Sequence, residues 1–189
     1  MLLPVTHDDT VTLRRFLTDP ATARLHLAEV GMALMGKPLD LSGWTDEDLF
    51  DAYIAFHLAT IAHEISHGAA FLANSADREE PMAEERRARE LEAPLLQRLV
   101  ERGQVPARYP ALYARFITDV VAALGPQAQA ALPSDPEKAR ALFNRVYPEV
   151  FSQPKPGDPE QLAATVIALR TSLELASKPR SLESARSSY

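Results

Sequence analysis

The longest stretch that the sequence commits to a single helix limits what the rest of the chain can be. Thr45-Asp46-Glu47-Asp48 has the form of an acidic capping box, in which side-chain oxygens take up backbone N–H groups at a helix start. From there a helix can run to about Asn74, so at about 30 residues it is the longest and the central element. Around it, 15 prolines and only 7 glycines punctuate segments rich in Ala, Leu, Glu and Arg. That is the grammar of helices separated by proline, and no segment alternates with the period of a strand. The expected fold is all-α, a single-domain bundle of about six to seven helices around the long helix at about 45–74.

The other elements follow from their stops. A first helix is expected from Asp8 or Asp9 to Thr18, and a second from Pro20 to Met35, closed by Gly36, with Leu25, Val30, Ala33 and Leu34 buried. The charged run from Arg78 to Glu92 is helical, with Pro81 in its first turn and Pro94 interrupting it before Leu95; Gly103 ends the segment. Three more helices are expected at Pro110 to Leu124, Asp135 to Tyr147 and Pro159 to Ala176, separated by Gly125-Pro126 and by the proline-rich 154–159. Residues 1–177 then form one domain, and the Ser- and Arg-rich 178–189 a disordered tail.

A net charge of -6 and a pI near 5.4 leave no basic face for displacing counterions from phosphates, so nucleic acid is not an expected partner. No hydrophobic span reaches membrane length, and the first residues lack the pattern of a secretory signal, which leads us to expect a cytoplasmic protein. The apolar helix faces suit packing within one chain or across a dimer. With no cysteine, a metal must be held by histidine and carboxylate.

At helical spacing the long helix has two faces. Ile54, Leu58, Ile61, Ile65 and Leu72 form a core stripe; His57, Thr60, His63, Glu64 and His67 share another, flanked by Tyr53, Phe56 and Phe71. Within that second face, His63-Glu64-Ile65-Ser66-His67 reads H-E-x-x-H. Imidazoles four residues apart meet on one side of a helix and can each give a nitrogen to Zn²⁺. Glu64 beside them can take a proton from a water whose pKa the ion has lowered.

The setting of this motif resembles that of the zincin metallopeptidases. Thr60 stands three residues before His63, and Ile61, Ile65, Ser66, Gly68 and Ala69 are uncharged, as in that family. Its gluzincin branch carries a third ligand on a second helix, a Glu in E-x-x-A followed by leucines; Glu85-Arg86-Arg87-Ala88, then Leu91 and Leu95-Leu96, is similar and begins 18 residues after His67. The resemblance spans about residues 60–96 and implies His63, His67 and Glu85 as Zn²⁺ ligands and Glu64 as general base. It implies a metallopeptidase-like hydrolase acting most simply on a peptide bond, with a peptide or small molecule as substrate. Two features differ from the family: Arg89 stands where an Asp or Asn follows E-x-x-A, and no segment offers a substrate-binding sheet.

Glu80, Glu84 and Glu90 are the alternative third ligands, and Tyr109, Tyr113 and His26 the candidates for holding an oxyanion. A different chemistry reads Glu64-x-x-His67 as half of a di-iron carboxylate site, for which no second E-x-x-H exists, or enlists His57 for another metal or haem. The third alternative is a non-catalytic helical interaction or structural protein whose histidines are satisfied by neighbouring carboxylates.

Overall fold

Proline in first turns and glycine beyond last turns place most of the helices where the sequence predicts them. The computed structural model describes residues 20–72 and 80–177, and among these it has seven helices and no strand. Helix α1, Pro20–Met35, stops at Gly36, whose φ of 73° carries the chain away while its N–H reaches the Met32 carbonyl at 3.1 Å. Helix α2, Asp46–Leu72, opens on the predicted cap, with Thr45 Oγ1 accepting from the Asp48 N–H at 3.1 Å. The charged segment is split into α3, Pro81–Arg89, and α4, Glu92–Glu101. The break falls at Glu90 and Leu91, one turn before Pro94, because a proline ring clashes with the carbonyl four residues back.

Helices α5, Tyr109–Ala128, α6, Pro136–Ser152, and α7, Pro159–Ala176, complete the described fold. Asp135 and Asp158 cap the last two, accepting from the N–H groups of Lys138 at 2.9 Å and Gln161 at 3.0 Å. Two ends differ from expectation, since α5 continues through Gly125-Pro126 and α6 through Pro148. Each proline lies about one turn or less from the C-terminal end of its helix, so the bond it removes and its ring clash fall near the helix end, and in α5 the burial of Leu124 and Ala128 favours continuation. The expected helix at residues 8–18, the last residues of the long helix and the tail at 178–189 lie outside the described residues.

Two helices act as hubs. Helix α2 packs on α1, α3, α4 and α5, and α7 packs on α3, α4, α5 and α6. The start of α2 is tied down from both sides: Arg24 donates to the carbonyls of Leu41 and Trp44 at 3.1 Å each, and the Trp44 indole N–H donates to Asp119 at 2.8 Å. No described helix is long and apolar enough to cross a membrane.

The face that α2 buries is not the predicted one. Ala52, Ala55, Ala59 and Ala62 are buried together with His63 and Ser66, whereas Ile61 and Ile65 are 54% and 64% exposed and Ile54 and Leu58 half-buried. Small side chains let neighbouring helices approach closely, so the alanine stripe meets the bundle and the isoleucine stripe turns outward. The side chains of Phe71 and Leu72 are outside the described set. On α1, Leu25 is likewise 59% exposed and Ala33 exposed, while Ala23, Leu27, Gly31 and Met35 face inward. The consequence for function is that the motif histidines border the core face, where partners from other helices can reach them.

Candidate metal centre

One turn of α2 separates His63 from His67 and sets their rings 4.7 Å apart, with the two Nε2 atoms 3.0 Å from each other. Across from them α3 delivers Glu85, whose Oε2 lies 3.5 Å from each Nε2. These three atoms form a group that could hold a metal ion. A triangle with those sides has a circumradius of about 1.9 Å, so bonds of about 2.0–2.2 Å place an ion about 0.5–1 Å above its plane. That is the base of a tetrahedron with its apex left for a fourth ligand.

A second layer of carboxylates sets how the imidazoles present themselves. His63 Nδ1 lies 3.1 Å from Glu92 on α4, and His67 Nδ1 lies 2.9 Å from Glu84 on α3. A carboxylate accepts, so each Nδ1 is placed to donate a proton to its carboxylate, and both Nε2 atoms are turned toward the same point. Two lone pairs 3.0 Å apart repel unless a proton or cation lies between them.

The carboxylates are held in turn by groups from four helices. Glu85 accepts from the Tyr147 hydroxyl of α6 at 2.7 Å and pairs with Arg89 at 2.5 Å. Glu92 accepts from Tyr113 of α5 at 2.7 Å and Ser172 of α7 at 2.8 Å, and Arg89 lies 3.3 Å from it. Arg89 also donates to Ser172 at 2.7 Å and to Tyr147 at 3.2 Å. Glu85, Arg89 and Glu92 are 5%, 9% and 4% exposed, so two carboxylates share a single guanidinium in the interior.

That imbalance leaves one negative charge to be matched. Burial by itself would depress the His63 imidazole, but its hydrogen bonds to Glu85 and Glu92 outweigh this and raise its pKa to about 9. Burial would likewise raise Glu85, yet the hydrogen bond to His63 and the Arg89 charge bring it to about 2. Burial, the largest influence, pushes Tyr147 and Tyr113 upward, so both remain hydroxyl donors at neutral pH. The surroundings therefore favour a positive charge beside the Nε2 atoms, whether a proton or a metal ion.

The other residues singled out in the sequence lie around this group without joining it. Glu64 follows His63 and is exposed; the two share the wall of a cavity of about 220 Å³ with Phe56, Phe116 and Val120. Glu84 is an outer partner of His67, and Glu80 is engaged by Arg140 and Asn144. His57 is exposed and edge-on to Tyr53 at 4.3 Å, while His26 lies 3.6 Å from Glu29. Tyr113 is bonded to Glu92. Sequence reasoning passed over Glu92, Tyr147 and Ser172, and it met Arg89 only as a departure from the zincin pattern. The one local signal was the three-residue spacing of Arg89 and Glu92 across a helix break.

No protein-family model matches the chain, and no curated protein or solved structure is similar to it.

Proposed function

We propose that His63, His67 and Glu85 bind one zinc ion and that the protein is a zinc-dependent hydrolase with Glu64 as its general base. The observation that carries this reading is the convergence of both Nε2 atoms and one Glu85 oxygen on a single point while both Nδ1 atoms face carboxylates. Two histidines, one carboxylate and an open fourth position make a donor set that suits catalytic zinc. Bound there, the ion supplies Lewis acidity, polarising a carbonyl and acidifying a water.

The chain's own groups supply the rest. Glu92 and Glu84 hold the imidazoles in one tautomer, Glu85 offsets part of the ion's charge, and Arg89 and Tyr147 fix the Glu85 carboxylate. Glu64 takes the proton of the attacking water as its oxygen bonds to the acyl carbon. Glu64 then returns that proton to the leaving group as the old bond breaks, so water is divided between an acid and an alcohol or amine. The zincin-like motif favours an acyl substrate, and the absence of a strand among the described residues favours a small molecule over an extended polypeptide. The di-iron reading has less support, because its carboxylate, Glu64, lies outside the three-residue group.

The test is a Glu64→Gln variant assayed for zinc content and for hydrolysis of nitrophenyl esters and anilides. We expect zinc to be retained and the rate to fall by about 10²–10⁴-fold. An unchanged rate removes Glu64 as base; zinc-loaded wild type that cleaves none of them removes the hydrolase.

A further inference from the structure

The geometry points to a substrate class: we infer that the cavity beside His63 receives the hydrocarbon body of a small acyl compound whose carbonyl head lies at the ion. This rests on the zinc reading above and adds what the site selects. The cavity, about 220 Å³, is bounded by residues of all seven described helices and lies next to the centre, with His63 belonging to both. An apolar cavity of about 150 Å³ accepts a benzene ring, so this one suits a body of about seven to nine carbons.

Its walls explain why the body is apolar. Phe116, Ile117 and Val120 close it on the α5 side and are 1–2% exposed, whereas Val30 and Leu34 of α1 and Phe56 of α2 are half-buried and Glu64 is exposed. Most of the polar residues in its wall have their bonding committed elsewhere. The hydroxyls of Thr60 and Thr165 donate to the carbonyls of Phe56 and Gln161 at 2.9 Å each. Arg89, Glu92, Tyr113 and Tyr147 are bonded to one another and to Glu85, and of their side-chain donors only the Arg89 Nε–H has no partner among the described residues. His63 and Glu64 remain as the polar end. A ligand with one polar head and a hydrocarbon tail fits this distribution. A peptide does not, because every residue would bring an amide and beyond its polar end the wall offers a single unpartnered donor, the Arg89 Nε–H.

The experiment is calorimetric binding of straight-chain hydroxamates, from acetyl to octanoyl, to the zinc-loaded and zinc-free protein. Hydroxamates chelate zinc, and each buried methylene adds about fourfold in affinity. We expect zinc-dependent binding that strengthens steadily to the octanoyl compound. Val120→Phe and Leu34→Trp, which narrow the cavity from its α5 and α1 sides, should abolish that gain while zinc content and acetohydroxamate affinity stay unchanged. Using both guards against misfolding of either variant. Zinc-dependent binding of acetohydroxamate with no gain along the series overturns the inference and leaves the metal centre standing. No zinc-dependent binding of any member overturns both.

Discussion

Arg89 is the residue on which the interior charge balance turns. It is the lone guanidinium between Glu85 and Glu92, and its own protonation is held firmly because their charges outweigh its desolvation. Arg89→Met would leave two buried carboxylates with only the protonated His63 ring beside them, and removing one partner of a buried ionic group costs about 3–5 kcal/mol. Urea unfolding of the zinc-free variant should show that loss; a change under about 1 kcal/mol would contradict the assigned balance. Glu84 has the opposite character. It is partly exposed and touches the centre only through His67 Nδ1, so Glu84→Gln should leave stability nearly unchanged. Zinc affinity should still fall by about 10–100-fold, because an outer carboxylate fixes the tautomer of the ligand. Competition against a chelator reads this directly, and wild-type affinity would mean that His67 is not a ligand through Nε2.

At the scale of the helix, what decides the fold is which residues allow close approach. Gly31 in α1 is the sharpest case, since a Cβ there would lie 2.5 Å from the Leu39 nitrogen and 2.7 Å from the Lys37 carbonyl oxygen, both backbone atoms. Gly31→Ala should therefore destabilise the protein by about 1–3 kcal/mol. Gly68→Ala in α2 meets nothing within 4 Å and should stabilise by up to about 1 kcal/mol, as alanine favours an exposed helix interior. Thermal unfolding of the pair tests the contrast, and equal shifts would contradict it. The same principle shows why α1 and α7 were legible and the buried face of α2 was not. Pro20, Gly36, Asp158 and Pro159 mark helix ends through local backbone chemistry that needs no neighbour. The burial of Ala55 and Ala59 in preference to Ile61 and Ile65 depends on how near other helices come, which hydrophobic periodicity does not encode.

For the whole molecule, the metal centre is a meeting of distant segments. The pair His63 and His67 was visible in the sequence because one helix carries both, and Glu85 because a family pattern pointed to it. Glu92, Tyr113, Tyr147 and Ser172 come from four further elements, with Ser172 lying 80 residues beyond Glu92 in sequence, and helix packing brings them together. This buried network favours a positive charge where the two imidazoles converge, a role that a proton or a metal ion can fill. The most direct measurement is elemental analysis of the protein purified without chelator, alongside His63→Ala and Glu85→Gln. The account predicts about one zinc per wild-type chain and its loss in both variants. A wild-type protein free of metal, or variants that keep a full equivalent, would contradict it.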